Sequence, residues 1–153
     1  MSDLTIQREI VIDAPTEIVW RTITEPDQIA QWFADRVELD LRPGGNGTFV
    51  FEDRATAQAT TAPIVVETVE APHRFTFRWG HSEGEPANVG NSVRVEFTLS
   101  AESGERTRLR VVETGLDDVE WPDDEKARYA EDHRHGWSVH VGRLGDLLGT
   151  PTG

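Results

Sequence analysis

Three histidines near the C-terminus, His133, His135 and His140, are the first residues to consider for chemistry. A trio of imidazoles is common metal-site material, but spacing decides. On a helix, His133 and His135 point about 200° apart, and His133 and His140 lie about 10.5 Å apart along the axis. No pair has the i, i+4 spacing of a helical metal site. No metal is expected. His133 and His140 share one helical face with Tyr129 and Trp137. They either reach into a cavity as polar groups or sit in the core bonded to backbone, and the second arrangement is the commoner.

The carboxylates divide in the same way. Asp117, Asp118, Glu120, Asp123, Asp124 and Glu125 lack the one-three-five-twelve oxygen spacing, with a central Gly, of a calcium loop. Acids before and within a first helical turn are expected from capping and the helix dipole. Glu67 and Glu113 fall in strands, and the pattern leaves their facing open. A buried one would carry a raised pKa and suit acid–base work, although a solvated edge carboxylate is the more frequent outcome. No Ser, His and Asp stand at nucleophile-elbow spacing, so no catalytic residue is assigned. The turn Arg42-Pro43-Gly44-Gly45-Asn46-Gly47 has the glycines of a phosphate loop, but no Lys-Ser/Thr follows and it leads into a strand.

These residues need elements to position them. Ile6, Ile10 and Ile12 alternate with Gln7, Glu9 and Val11, a strand pattern that Arg8 breaks. Ala14-Pro15 opens a helix carrying Ile18, Val19, Trp20 and Ile23, with Pro at a first-turn position. Glu25-Pro26-Asp27 restarts a second short helix with Ile29, Trp32 and Phe33. From residue 36 to 114 the chain reads as strand. Val37, Leu39 and Leu41 alternate, as do Phe49 and Phe51, Phe75, Phe77 and Trp79, Val93 to Leu99, and Leu109 and Val111. Residues 64–69 are apolar on both faces. Residues 55–62 are small and weakly patterned, either an edge strand or a loop, and 101–106 turn around Gly104. Short turns between consecutive strands imply an antiparallel meander.

From Asp123 to Leu148 runs one long helical pattern, with Tyr129, His133, Trp137, Val141, Leu144 and Leu148 on one face. About 25 helical residues span about 37 Å, more than covering a small core demands. One such helix across a curved sheet tends to enclose a cavity. Gly136 beside Trp137 would permit close backbone approach there.

The chain has 153 residues and 37% hydrophobic content with five Trp, enough for one packed domain, taken as 1–153. Its net charge of −13 would repel nucleic-acid phosphates and anionic lipid surfaces. No segment approaches the ~20 apolar residues of a membrane span, so no membrane insertion is expected. The absence of Cys excludes disulfides and thiol catalysis. Residues 1–5 show no secretory leader, and Pro-Thr-Gly at the end reads as a frayed tail. Cytoplasmic residence is the expectation.

The order of strand, two short helices, about six antiparallel strands and a long helix resembles the START-like helix-grip superfamily (SRPBCC), which includes the birch pollen allergen and polyketide cyclases. Within it the chain is most similar to the family named for the activator of heat shock protein 90 ATPase homologue, in its bacterial single-domain form. Ala14-Pro15 with Val19-Trp20, Thr24-Glu25-Pro26 before Trp32-Phe33, and Leu41-Arg42-Pro43-Gly44-Gly45 carry the likeness. So do the pair of strands in 69–79 and Gly136-Trp137 before Leu144, Leu147 and Leu148. The resemblance implies an α+β fold, a curved antiparallel sheet of six to seven strands gripping the C-terminal helix with a cavity between them. The eukaryotic co-chaperone carries a separate N-terminal domain for its main chaperone contact, and this chain starts directly at the helix-grip strand.

The expected function is binding of a small, mainly apolar ligand in that cavity, without a cofactor. The residues expected to line it are Trp32, Phe49, Phe51, Phe75, Phe77, Trp79, Phe97, Tyr129, His133 and Trp137. Two alternatives stand beside it. One is a cyclase- or dehydratase-like enzyme using His133, Tyr129 or a buried carboxylate. The other is a co-chaperone or other protein-interaction module; a homodimer is compatible with each. Residues 53–61 and 81–91, small or glycine-rich, are the expected mobile mouth.

Overall fold

The structure, a computed structural model, describes residues 4–53, 55–81 and 84–150. Residues 1–3, the tail 151–153 and positions 54, 82 and 83 of the expected mouth lie outside the described residues. Strand β1 (Ile6–Ile12) is followed by helices α1 (Thr16–Thr24) and α2 (Pro26–Ile29). Then come β2 (Arg36–Leu39), β3 (Asn46–Asp53), β4 (Gln58–Glu70), β5 (Arg74–Trp79), β6 (Val93–Ser103) and β7 (Arg106–Thr114). A short 3-10 turn, Leu116–Asp118, leads to the long helix α3 (Asp123–Leu148).

The seven strands form one antiparallel sheet in the order β1-β7-β6-β5-β4-β3-β2. It is a meander from β2 to β7, with β1 added beside β7. Alternation sorts most strand positions. In β5, Phe75, Phe77 and Trp79 are buried; in β7, Thr107, Leu109, Val111 and Glu113 are buried while Arg106, Arg108 and Arg110 face water. The inner face packs against α1 and α3, giving the α+β helix-grip arrangement.

Several elements depart from expectation, each for a physical reason. The second helix stops at Ile29, so Trp32 and Phe33 stand on the turn after it, where the Trp32 indole donates to the Thr22 carbonyl at 2.9 Å. Residues 58–61 are part of β4, paired with β3 from Asp53↔Gln58 onward. The backbone ladder supplies what those small side chains do not. The turn expected over 101–106 shrinks to Gly104 and Glu105, because β6 runs on to Ser103 through a bulge between Ala101 and Ser103.

Arg8, the residue that broke the first strand's pattern, reaches α3. Its Nε donates to Ser138 Oγ at 2.7 Å and its guanidinium to the Arg134 carbonyl at 3.0 Å. At the other end of α3, a Cβ at Gly145 would lie 2.9 Å from the Ile10 side chain, so this glycine permits the close approach. Gly149, at φ +94°, caps the helix through its N–H to the Gly145 carbonyl, and its own carbonyl accepts from Asp13 N–H at 2.8 Å. The expected close approach at Gly136 is not found, since a Cβ there would meet nothing within 4 Å.

On the outer face, Arg78 and Arg94 stand directly opposite each other on β5 and β6. Like charges so placed repel. Glu67, turned outward on β4, bridges them at 3.1 and 2.7 Å. Partial burial pushes its carboxyl up, but the bonds and charges of Arg94 and Arg78 outweigh this and hold it below the ordinary value.

Candidate functional site

The alternation that buries Leu109 and Val111 continues to Glu113, whose residue is 2% exposed. Its strand neighbours are apolar: Val95 on β6 and Ile6 on β1. A bare carboxylate there would be costly. Four donors surround it instead. Trp79 Nε1 and Tyr129 Oη donate to Oε2 at 2.8 and 2.7 Å. Trp137 Nε1 lies 2.9 Å from Oε1, and His133 Nδ1 lies 2.9 Å from the same oxygen. Three of the four partners come from α3, at the i, i+4, i+8 spacing of Tyr129, His133 and Trp137. The fourth ends β5. One carboxylate therefore ties the long helix to the middle of the sheet.

The electrostatics run opposite to the expectation of a raised pKa for a buried carboxylate. Burial pushes the Glu113 carboxyl up. The bonds from His133, Trp79 and Tyr129 overcome that and hold it below the ordinary carboxylate range. Burial and then the Glu113 charge push the Tyr129 hydroxyl well above its ordinary value, so it stays protonated and donates. Being ionised, Glu113 only accepts, so the His133 proton sits on Nδ1. The His133 ring stacks on Tyr129 with centroids 3.7 Å apart and meets Trp79 edge-on at 5.6 Å.

Beside this cluster, between α3 and the sheet, lies a hollow of about 360 Å³. Its aromatic wall is Phe33, Phe51, Trp79, Tyr129 and Trp137. Thr60, Ala62, Gly80 and Gly136 form the rest, and their small size leaves the space that aromatics fill elsewhere. Asp132, His133 and His140 supply its polar groups. The His140 Nδ1 is buried and has no hydrogen-bond partner among the described residues. Burial pulls the His140 pKa down to about 4; a backbone bond with Trp32 opposes this, and the Arg143 charge adds to it.

Of the ten residues expected to line a cavity, Phe51, Trp79, Tyr129, His133 and Trp137 border this hollow. Phe49, Phe75, Phe77 and Phe97 pack in the buried core instead, ring against ring; Phe75 and Phe97 stack at 6.3 Å. Trp32 is buried beside Phe97 and borders a second hollow next to Ala34 and Arg143. Phe33 lies outside those ten, as do His140 and Glu113, whose placement the sequence pattern leaves open. The sequence pattern reads Phe33 as part of the apolar set of the second helix; in the fold it stacks on Trp137 at 5.3 Å. Among the described residues no cluster of His, Asp or Glu is arranged to hold a metal, and no helix is long and apolar enough to cross a membrane.

Residues 13–149 match the family described as Activator of Hsp90 ATPase homolog 1-like protein. A search of curated proteins finds no match. Among solved structures, protein NE0264 from Nitrosomonas europaea superposes with a TM-score of 0.77 at 20% identity, covering 97% of this chain and 96% of that one. CalU16 from Micromonospora echinospora gives a TM-score of 0.67 at 27% identity over 94% of this chain and 75% of that one. The Aha1 dimer from Colwellia psychrerythraea gives 0.70 at 17% identity, over 97% and 98% of the two chains.

Proposed function

The chain belongs to the Activator of Hsp90 ATPase homolog 1-like family, and on that footing we propose that it acts as one domain binding a small, mainly apolar ligand in the hollow between α3 and the sheet. The observation that carries the reading is the hollow itself, about 360 Å³ with aromatic walls, in the size range of small-molecule sites. Its walls would hold the ligand by apolar contact. The Nε2 edge of His133 would orient the ligand's polar atoms. Phe51, Trp79, Tyr129, His133 and Trp137 are the contacts proposed from the original set, with Phe33 added.

Gly136 provides the test. A side chain there would enter open space bordering the hollow, and the helix backbone accepts it readily. The expected result is that an apolar fluorescent probe binds the wild-type chain and that Gly136→Leu, still folded, loses at least tenfold in probe affinity. Equal affinity in the two proteins would place the probe elsewhere and end the proposal. Self-association, suggested only by the likeness to a dimeric structure, is decided separately by sedimentation.

A further inference from the structure

We infer that His133 is a catalytic base for proton transfer at a carbon next to a carbonyl group of the bound molecule, with Glu113 as its positioning residue. The inference rests on the binding reading above and adds a reaction to it.

Glu113 fixes the tautomer. An ionised carboxylate offers only lone pairs, so the imidazole nitrogen 2.9 Å from Oε1 carries the hydrogen. The lone pair is left on Nε2. The ring borders the hollow while Glu113 lies behind it, so a ligand meets the Nε2 edge. The ring cannot turn away easily, being stacked on Tyr129 and braced by Trp79. Exposure separates the two partners: the His133 side chain is 27% exposed and that of Glu113 2%. The imidazole thus stands between a buried charge and an open space. An imidazole oriented by a carboxylate behind it, its free nitrogen toward the substrate, has the parts of a general base.

The step balances without a second reagent. The Nε2 lone pair takes a proton from the carbon beside a carbonyl. The C–H bond breaks and its electron pair moves into the carbonyl as an enolate. The imidazolium so formed is compensated by Glu113 across the Nδ1–H bond. Reversal returns a proton from Nε2 to the same carbon, or to a carbon conjugated with it. The first outcome exchanges hydrogen with solvent, and the second shifts a double bond. The aromatic walls fit a flat, mostly apolar ketone.

The probe is 2-tetralone, a bicyclic ketone with acidic C–H groups on both sides of its carbonyl. Exchange of those hydrogens in D2O is followed by proton NMR, and binding is measured in parallel by tryptophan fluorescence. The wild-type chain should accelerate exchange over buffer. His133→Gln keeps a donor for Glu113; compared at ketone concentrations that saturate each protein, it should lose about 100-fold of that acceleration. Binding without accelerated exchange, or equal exchange in the variant, overturns the inference and leaves the binding proposal standing. No binding of the ketone or of any apolar probe ends both. A second readout needs no ligand. The nitrogen-15 spectrum of the His133 ring should show a protonated Nδ1 and a bare Nε2, and this pattern should be lost in Glu113→Gln. A proton on Nε2 in the wild-type protein overturns the assignment.

Discussion

Glu113 is the residue whose removal should be felt most. Glu113→Leu fills similar space but strands the Trp79, Tyr129, His133 and Trp137 donors without an acceptor. The expected loss is roughly 3–5 kcal/mol in chemical denaturation. A loss under about 1 kcal/mol would mean that the donors find water and that the cluster does not hold α3 down. His140 gives a prediction in pH. Its folded pKa of about 4 lies below the ordinary histidine value of about 6.5. Between those values the unfolded chain binds a proton that the folded chain refuses, so stability rises with pH across that window. Stability from this group is complete above about pH 6.5 and lost as pH falls toward 4. His81, whose pKa burial also lowers, acts in the same direction. His140→Leu should therefore flatten the dependence of unfolding free energy on pH between 4 and 6.5, and an unchanged slope would refute it. At this scale the sequence was partly legible. The face bearing Tyr129, His133 and Trp137 was plain from spacing. Glu113 was open to the same logic, because the alternation Thr107, Leu109, Val111 leads straight to it. A charged residue is ordinarily assigned to water, and four donors spread over two elements cannot be seen locally.

At the scale of elements, α3 uses its glycines in opposite ways. Gly136 borders open space and Gly145 meets β1. Gly136→Ala should stabilise the chain by up to about 1 kcal/mol through helix propensity alone. Gly145→Leu should cost about 1–3 kcal/mol, because the added side chain must displace Ile10 and Thr150. Thermal denaturation of the two variants checks the contrast, and shifts of the same sign would show that the helix sits differently. The span of α3 was legible to its ends, since its acidic start and its periodic stripe both lie within one segment. The β3–β4 hairpin was less so. Gln58 to Thr61 are held by backbone pairing with β3 rather than by side-chain packing, and period-two alternation reports only on side chains. The same limit hid the end of α2, which stops at Ile29 although Trp32 and Phe33 continue its apolar pattern.

For the whole molecule, the short turns between consecutive strands made the antiparallel meander legible, while the grip of the sheet on the helix was implied by the family resemblance. The volume left under the helix was not legible, since it depends on which small residues of distant strands face Gly136. Hydrogen exchange tests how that volume opens. Backbone amides of 84–91, a segment of turns and bends, should exchange fast, and those of α3 around Trp137 slowly. Strand residues 58–61 should be protected by their pairing with β3. The reverse order, with slow loops and a fast helix centre, would make α3 the gate.

The clasp between Arg8 and α3 has a consequence for how the protein is made. Its partners stand 130 positions apart, and Asp13 and Arg106 are separated by 93. Strand β1 can find its ladder only when β7 has emerged, and its helix only later still. At roughly 5–20 residues per second, that delay is on the order of ten seconds. Through it, the isoleucines of β1 travel without the surface they were shaped to meet. Until α3 arrives, Gln7, Arg8 and Glu9 keep that stretch compatible with water.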